Sequence, residues 1–530
     1  MRRAAVGVAA ALALVMPAVA HATTAHDATL ARRGITLALE RHWLKPADAQ
    51  RYRTAVTQAL RDTKTLPRLR AEVIASQLAQ LTPLWNSYTG PRALTLFSQL
   101  EMNASYLESH GLPTTATDTT DDDGIVYRWF PRLGFEFHPL ANFASLNNVA
   151  AAGDAESTSV LADALLARAI PRSTRLIWEY QFRFGGGRPP WASGMAQAVA
   201  AQALARAAAV VGDPALGAAS VRAFSSVPPF LLNLSTGPWI RLYGFNSQVV
   251  LNAQLQTIVS LLEYGQESGD VQASSLADRM LSATQAMLPR FDTGDWSRYE
   301  LGGAYASRDY QKFVTDLLAK LARQTRDPFW TATSQRFHAY FYDAPQVTQT
   351  VPTAQIWPQP ADGWLDTAQI QLNLSMRASV TIAVGGRVST YRLNAGPRTI
   401  TWKPPVGLAP GTYPVSVSAT SYAGHKATVS LSPLAVGADT TPPVIASAAV
   451  SGTTLTWQAN DPGTPWLALA VDLVDPAGIN PPQTLDLGRL PTAGSALLAL
   501  PVGTWQATLR ATNSAGLTTT FALGTLTQPG

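Results

Sequence analysis

Two tyrosines of this 530-residue chain stand beside arginines in one short stretch. Arg298 directly precedes Tyr299, and Arg308 lies two residues before Tyr310. A tyrosine normally loses its proton near pH 10, but a guanidinium close to it in a dry cleft lowers that pKa. The pattern predicts a pair of tyrosines that exchange protons with a substrate near neutral pH. Half-buried structural tyrosines are the alternative.

The residues around this pair predict a loop between two helices. The segment before Phe291 is helix-like, and Asp292–Asp295 has the composition of a turn. After Tyr310, apolar residues recur at helical spacing over 313–321. The two tyrosines therefore belong to a connector and to the start of the next helix.

The same order of helix, loop and helix recurs through the middle of the chain. The strongest predicted helices cover Trp191–Val211, Ser247–Tyr264 and Asp270–Leu288. Their connectors, GGGRPPW, GPWIRLYGF and FDTGDWSRY, hold aromatic, glycine and arginine residues. This order predicts an all-α (α/α) toroid, in which paired helices form the wall and the loops at one end line a cleft.

Other residues of these loops could bind a substrate. Arg188, in a glycine-rich loop at a helix start, could hold a carboxylate or simply be solvated. Trp191 could stack on a sugar ring or pack into the core, and Asn246 could bind a hydroxyl or cap a helix. The residues predicted to bind substrate are Arg308, Arg298, Arg188, Trp191, Arg241, Asn246, Gln248 and His138.

The region before these connectors is predicted to be helical over 27–108, with Pro46, Pro67 and Pro91 near first turns. A polar loop follows over 114–124. Its acidic run Asp121–Asp123 is more typical of a solvated surface than of a calcium site. Residues 125–140 predict a short extended segment or loop. We assign 27–345 to one catalytic domain, with 27–125 as its N-terminal helical part.

From Pro345 onward the sequence predicts β-structure. Short alternating segments are separated by glycine and proline, and the pattern GT-[YW]-x-[VA]-x-[VL]-x-A-T-x-x-A-G occurs at 411–424 and again at 503–516. A repeat of this kind indicates two homologous all-β sandwiches, which we predict to be Ig-like domains over 346–437 and 438–530.

The composition excludes several classes of site. The chain has no cysteine, so disulfides and thiolate metal sites are excluded, and its 7 histidines show no metal-ligand spacing. We therefore predict no metal and no cofactor. The formal net charge of +5 is only mildly basic, and no basic–aromatic motif predicts a nucleic-acid partner.

The N-terminus predicts export. Arg2 and Arg3 precede an apolar stretch, and Ala20-His21-Ala22 has the form of a cleavage site. We predict a signal peptide over residues 1–22, no stable membrane insertion after cleavage near Ala22, and a periplasmic, secreted or cell-surface location. An uncleaved anchor is the alternative.

The connector FDTG…RYEL…RDY…LL resembles the C-terminal catalytic domain of the D-glucuronyl C5-epimerases, which act in heparin and heparan sulfate maturation. Three further segments resemble that family in the same order: Phe137–Asn148, Arg188–Ala200 and Gly244–Gly265. The likeness covers roughly 126–342. It implies an α/α toroid and an acidic, uronate-containing polysaccharide as partner.

The resemblance also implies roles for three tyrosines. Tyr299 and Tyr310 fall on acid/base tyrosines of the family, and Tyr243 stands near a third, although it could also simply pack. The chain departs from the family at Leu242, where the family has a glutamate that could act as the base, and at Arg308, where the family has tryptophan. Histidines of the animal enzymes are replaced by residues such as Gln311 and Val314. Glu300 or a tyrosine could supply the base instead.

Three functions follow from these patterns. The first is an exported uronate C5-epimerase, which needs acid/base groups on both faces of the sugar and donors on its carboxylate. The second is a uronate polysaccharide lyase, which begins with the same proton abstraction. The third is a catalytically silent glycan-binding protein, which Leu242 and the sandwich domains favour.

Overall fold

The computed structural model describes residues 24–114 and 116–530, so the predicted signal peptide over 1–22 lies outside the described residues. The chain divides into a helical unit that ends at Phe341 and a β unit over Tyr342–Gly530. We describe each by itself.

Four helices open the helical unit, as the sequence predicts, and prolines mark the starts of three of them. A proline fits the first turn because its missing N–H would have no partner there. The first two helices pack on each other and on the third, and the second also packs on the fourth. The helices are α1 (Thr24–Glu40), α2 (Pro46–Thr65), α3 (Arg68–Leu81) and α4 (Gly90–Ser109).

A three-stranded antiparallel sheet follows, where the sequence predicts only an extended segment or loop. Arg132 and Gly134 have positive φ angles of 66° and 110° in its second turn. The side chain of Asn142 donates to the carbonyl of Val126 and accepts from its N–H, each at 2.8 Å, which fixes the sheet to the next helix. The strands are β1 (Asp118–Thr120), β2 (Val126–Phe130) and β3 (Gly134–Phe137), in the order β1-β2-β3.

Eight helices complete this unit, and they alternate between an inner and an outer position. The inner helices over Gly194–Val211 and Leu251–Ser268 are buried on most sides, whereas the other helices bury one face. The helices are α5 (Pro139–Ala151), α6 (Ala155–Ala167), α7 (Gly194–Val211), α8 (Pro214–Phe224), α9 (Leu251–Ser268), α10 (Val271–Met287), α11 (Arg308–Thr325) and α12 (Pro328–Tyr342).

The packing of these helices fits the predicted α/α arrangement. Helices α5, α7, α9 and α11 lie side by side, and α6, α8 and α10 pack against them. Short hairpins, β4 (Ile170–Arg172) with β5 (Arg175–Ile177) and β6 (Leu231–Leu234) with β7 (Gly237–Ile240), lie in their connectors. The helical class is confirmed, whereas closure of the helices into a toroid stays a prediction.

Helix α7 is the inner helix with the most apolar sequence. Among the described helices it is the one long and apolar enough to cross a membrane, but 72% of it is buried inside the fold, as in the core helix of a globular domain. The Ser193 side chain accepts from the N–H of Ala196 at its start, and Gly212, with φ of 75°, ends it.

The β unit holds two sandwiches of seven strands each, so the predicted duplication agrees with the strand pattern. The first contains β8 (Val347–Val351), β9 (Ala368–Leu374), β10 (Ala378–Val384), β11 (Arg387–Leu393), β12 (Gly396–Trp402), β13 (Gly411–Thr420) and β14 (Lys426–Val436). The second contains β15 (Val444–Ser451), β16 (Thr454–Asn460), β17 (Trp466–Val474), β18 (Gln483–Pro491), β19 (Ala493–Leu497), β20 (Gly503–Thr512) and β21 (Thr518–Gln528).

Both sandwiches share one topology. The sheets are β12-β9-β8 and β11-β10-β13-β14 in the first, and β15-β16-β19 and β18-β17-β20-β21 in the second. In each, the fourth strand pairs with the third, whereas in a constant-type immunoglobulin domain it joins the other sheet. Each sandwich has its own apolar core. The assignment to Ig-like domains stays a prediction.

A polar cluster connects the linker between the two sandwiches to the second sandwich. The Asn513 amide donates to Asp439 Oδ2 at 2.8 Å and to Asp461 Oδ2 at 3.0 Å. Burial, and next the charge of Asp461, raise the pKa of Asp439. The neutral amide therefore separates two carboxylates that would otherwise repel each other.

Candidate active site

Two connectors of the helical unit and the first turn of α11 bring the three predicted tyrosines together. The rings of Tyr299 and Tyr310 lie 4.7 Å apart at 60°. The hydroxyl of Tyr243, from the connector between β7 and α9, interacts with that of Tyr299. Residues far apart in sequence thus form one cluster of hydroxyls.

The loop that carries Tyr299 is tied to the start of α11. The side chain of Gln311 accepts from the N–H and the hydroxyl of Ser297, at 3.0 and 2.6 Å. Ser307 caps α11 by accepting from the N–H of Tyr310 at 3.4 Å. Both tyrosines are therefore placed from the same helix start.

Tyr299 lies at the centre of the cluster. Its hydroxyl interacts with those of Tyr243 and Tyr310 but forms no hydrogen bond of good geometry, although it is buried. Burial raises the pKa of all three tyrosines well above the usual value, and their mutual interaction raises the pKa of Tyr299 and Tyr310 further. In the free protein at neutral pH all three are protonated.

The expected arginine–tyrosine pairs are not formed. Arg298 donates to the carbonyl of Gly303 at 2.5 Å and lies 5.9 Å from the ring of Tyr305. Arg308 is exposed and lies over Phe341, 4.7 Å from its ring centre. The predicted lowering of the tyrosine pKa values by these arginines is therefore wrong.

The physical reason is the direction of neighbouring side chains. Arg298 forms a β-bridge with Tyr305, and successive residues of extended chain point to opposite sides, which turns Arg298 away from Tyr299. Arg308 and Tyr310 stand two apart on a helix, a spacing at which side chains do not face each other.

A different arginine, Arg128, lies close enough for its charge to affect the tyrosine cluster, although it is not among the predicted site residues. It lies on β2 and donates in a fork to Asp118 at 2.8 and 2.7 Å. Its charge lowers the pKa of Tyr310 and Tyr180 in opposition to burial. The available sequence signal was the position of a charged residue, Arg128, between the aromatic residues Tyr127 and Trp129.

His138 lies beside this arginine and is neutral. Burial, and next the charge of Arg128, lower its pKa well below the usual value. Its Nδ1 accepts from the N–H of Ala141 at 3.1 Å at the start of α5, so the proton of the neutral ring is on Nε2. The ring packs against Tyr180 at 5.2 Å. His138 can therefore donate a hydrogen bond but is a poor proton acceptor through Nδ1.

An aromatic wall supports Tyr243. Trp191 is buried, stacks on Tyr180 at 4.1 Å, and donates through Nε1 to the carbonyl of Phe182 at 2.8 Å. Tyr243 packs against Trp191 and Phe245, at 5.8 and 5.5 Å between ring centres. Trp191 thus has the packing role that the sequence analysis gave as its alternative.

The other predicted binding residues are spread around this wall. Arg188 is exposed on its loop, and Arg241 is half-buried with no hydrogen-bond partner at Nε. Asn246 accepts from the N–H of Gln248 at 3.3 Å and donates to its side chain at 3.0 Å. Because α9 begins at Leu251 rather than at Ser247, Asn246 does not cap it.

The carboxylate next to the tyrosines is Glu300. Its charge raises the pKa of both Tyr243 and Tyr299. Leu242, where the resembled family has a glutamate, is 7% exposed and apolar. Glu300 is therefore the candidate base that the geometry offers in place of the missing side chain.

Asp121, the first residue of the acidic run, has a structural role. It accepts from the N–H of Ile125 at 2.9 Å and from the Tyr127 hydroxyl at 3.1 Å, and it lies 3.7 Å from Arg168. Within 24–114 and 116–530, no three His, Cys, Asp or Glu side chains lie close enough to hold a metal ion.

Comparison with known proteins identifies one family. Residues 172–339 match the family model described as D-glucuronyl C5-epimerase C-terminus, which confirms the resemblance over a narrower range than expected. The match shows that this part of the chain is similar to the C-terminal region of D-glucuronyl C5-epimerases. Tyr243, Tyr299 and Tyr310 lie inside it, whereas Arg128 and His138 lie outside. A search of curated proteins gave no match.

Solved structures give weak likenesses. A GH76 alpha-mannanase from Bacteroides thetaiotaomicron is 15% identical over 38% of this chain and 60% of that chain, with a TM-score of 0.29. An endoglucanase from Komagataeibacter sucrofermentans is 15% identical over 36% and 68%, with a TM-score of 0.28. Fibronectin(III)-like modules of CbhA from Clostridium thermocellum are 15% identical over 35% and 94%, with a TM-score of 0.17.

This chain thus spans less than two thirds of the first of those proteins. Likenesses at these TM-scores assign neither fold nor function to it.

Proposed function

We propose that the helical unit epimerises a uronic acid at C-5 within an acidic polysaccharide, converting D-glucuronate to L-iduronate or acting on a related uronate. The observation that carries this proposal is the convergence of Tyr243, from one connector, with Tyr299 and Tyr310, from the next connector and the helix after it, within a segment that matches an epimerase family.

The raised pKa values restrict which group takes the first proton. Because the three tyrosines are protonated in the free protein, each can donate a proton but none can accept one without losing its own. Glu300 is the acidic side chain beside Tyr243. We assign it as the base, acting through Tyr243: the C-5 proton moves to the Tyr243 oxygen while the Tyr243 proton moves to Glu300.

The opposite face needs an acid, which we assign to Tyr310. Rings 4.7 Å apart leave no room for a sugar between Tyr299 and Tyr310, so these two do not lie on opposite faces of the substrate. Tyr310 donates its proton to C-5. Tyr299, whose hydroxyl interacts with both neighbours, then passes a proton from Tyr243 to Tyr310, and Glu300 returns its proton to Tyr243, so that every group regains its starting state.

The negative charge that develops on the substrate carboxylate needs donors and a cation. Arg128 is the cation whose charge acts on Tyr310. We assign Arg128, with the Nε2–H of His138, to the carboxylate, because fixed donors at the site of developing charge lower the barrier most.

A uronate lyase is the second candidate, and the same short distance favours it. Syn elimination uses an acid and a base on one face of the sugar, and Tyr299 and Tyr310 lie together. Both reactions begin by breaking the C-5–H bond. They differ in whether the C-4 substituent leaves and a double bond forms.

Solvent exchange tests the proposal. The chain is incubated for a prolonged time in D₂O with heparosan and with alginate, and deuterium at C-5 is followed by NMR. We expect incorporation with inversion at C-5, and loss of both in Tyr243→Phe and Tyr310→Phe. Tyr106→Phe, a tyrosine stacked on His110, serves as the control and should stay active.

The other outcomes select the alternatives. Ultraviolet absorbance from a new C-4–C-5 double bond would show that the reaction is that of a lyase and not that of an epimerase. Absence of incorporation on every uronan, with retained binding, would favour a silent glycan-binding protein and point to Leu242. We further propose export, which N-terminal sequencing of the secreted chain would test by a start at residue 23.

A further inference from the structure

One tryptophan of the β unit is partly exposed to solvent. Trp364 keeps 39% of its surface exposed, and Leu365 beside it keeps 38%. Every other tryptophan of the described residues is buried or half-buried. Burying a large apolar side chain contributes roughly 1.5–3 kcal/mol, so a ligand that covers the exposed part of Trp364 would gain a share of that stabilisation.

The loop around Trp364 is held in place by hydrogen bonds. The Trp364 N–H donates to Asp362 Oδ1 at 2.8 Å, and the Gly363 N–H donates to Asp366 Oδ2 at 2.9 Å. The Trp357 N–H closes the loop by donating to the carbonyl of Leu365 at 2.9 Å. The indole is therefore presented from an ordered loop, which reduces the entropy lost on binding.

The second sandwich completes this surface. The Ser514 hydroxyl donates to Asp362 Oδ2 at 2.5 Å, and Arg489 Nη2 donates to the Asp362 carbonyl at 3.1 Å. Burial raises the pKa of Asp362, but hydrogen bonds, first from Ser514, outweigh it and hold that pKa below its usual range. The ionised Asp362 thus fixes the Trp364 loop to the second sandwich.

Two indoles and a guanidinium meet at this junction. Trp364 and Trp466 contact each other nearly at right angles, 6.2 Å apart and at 85°. Arg489 lies over the Trp466 ring at 4.6 Å, and its side chain is 51% exposed. An exposed aromatic surface beside a solvent-accessible cation suits a ligand that has both an apolar C–H face and an anionic group.

We propose that Trp364, Trp466 and Arg489 form a binding site for pyranose residues of an acidic polysaccharide, separate from the tyrosine cluster. A sugar ring stacks its C–H face on the exposed surface of Trp364, and Arg489 donates to a carboxylate of the chain. The choice of polymer rests on the function proposed above.

Affinity electrophoresis tests the site in the full chain. The Tyr299→Phe background keeps the polymer unmodified, and the gels contain heparosan, alginate or neutral dextran. We expect Trp364→Ala to weaken binding to heparosan or alginate about tenfold or more, and Trp364→Tyr to retain most of it. Arg489→Gln should weaken binding to the uronans only. Val406→Ala, at a fully exposed apolar residue of the same sandwich, is the control.

Two results would overturn this assignment. The first is unchanged uronan binding by Trp364→Ala with an unchanged unfolding curve. The second is a loss of self-association in that variant during sedimentation, with polymer binding intact, which would make the surface an interface between copies. Deuterium exchange on short oligosaccharides, which should not need Trp364, tests the tyrosine chemistry separately. If polysaccharide binding depends on Trp364 but no deuterium exchange at C-5 is found, only the proposed function is rejected and the binding site stands.

Discussion

At the scale of single residues, Arg128 has a proposed role in the site that its neighbours in the sequence do not indicate. It is held by Asp118 in a two-point fork, which fixes the plane of the guanidinium, and its charge reaches Tyr310, Tyr180 and His138. A planar cation with a fixed orientation binds a carboxylate better than a flexible one, because less side-chain freedom is lost.

We predict that Arg128→Gln lowers turnover by about 10²–10³, because removing one preorganised donor to a developing oxyanion costs about that much. Arg128→Lys should be intermediate, since it keeps the charge but not the fork. The measurement is kcat and KM for uronan conversion, with thermal unfolding to confirm the fold. Arg188→Gln, at an exposed loop arginine, is the control. Equal effects of the two glutamine variants would remove Arg128 from the site.

Glu136 is a buried carboxyl that our mechanism does not use. It is fully buried, Gln77 and Gln80 donate to its Oε1 at 2.9 and 2.7 Å, and its Oε2 has no partner. Burial raises its pKa to about 8. Because this folded-state pKa exceeds the unfolded one, the unfolded chain binds fewer protons between roughly pH 4.5 and 8. Stability should therefore fall as pH rises through that window.

We predict that Glu136→Gln removes this fall and raises stability at pH 7 by an amount on the order of 3 kcal/mol. The measurement is denaturant unfolding between pH 5 and 8.5. Glu72→Gln, at an exposed glutamate paired with Arg68, should keep the wild-type slope. A slope unchanged in Glu136→Gln would mean that the carboxyl is ionised in the folded protein.

At the scale of elements, the contact between two connectors places Tyr243. A Cβ at Gly187 would lie 2.3 Å from the ring of Phe245, against which Tyr243 packs. Gly187 is thus required for its loop to approach Phe245 closely, and the loop positions Tyr243 through the ring of Phe245.

We predict that Gly187→Ala lowers turnover at least tenfold, because Phe245 must shift and Tyr243 with it. Gly186→Ala is the matched control: Gly186 has φ of 87° and nothing within 4 Å of its Cβ position. That change should cost about 1 kcal/mol of stability through backbone strain and leave turnover nearly unchanged. Comparable losses of turnover in both variants would contradict the role of this contact.

Elements also show what the sequence could and could not predict. Local apolar periodicity predicts the helices from α5 to α11. The turn residues between them predict the connectors, which contain or border the tyrosines. The repeated pattern at 411–424 and 503–516 predicted the two sandwiches. The direction of Arg298 and Arg308, and the approach of Arg128 and Glu300 to the tyrosines, depend on how separate segments pack, which local patterns do not encode.

At the scale of the whole molecule, polar groups hold the linker between the two sandwiches against the second sandwich. Asn513 donates to a carboxylate on the linker, Asp439, and to one in the second sandwich, Asp461. Removing the amide leaves two carboxylates close together without a donor between them, which costs about 1–3 kcal/mol.

We predict that Asn513→Ala destabilises the β unit by that amount and makes the linker around Asp439 more sensitive to protease. Calorimetry and limited proteolysis measure the two effects. Asn480→Ala is the control, since Asn480 donates to Asp475 at 2.8 Å in an exposed turn. If proteolysis at the linker were the same in both variants, Asn513 would not hold the linker to the second sandwich.

The buried hydroxyl of Tyr299 has a consequence for isotopic labels. A proton passed from Tyr243 through Tyr299 to Tyr310 stays inside the protein, where exchange with water is slow compared with transfer between adjacent oxygens. If this relay operates, the product of one turnover receives the hydrogen that Tyr310 already held, and the hydrogen removed from that sugar moves toward Tyr310 for delivery to a later sugar. In the earliest turnovers the product would therefore lose a tritium label at C-5, and the label taken from one sugar would appear at C-5 of sugars epimerised in later turnovers.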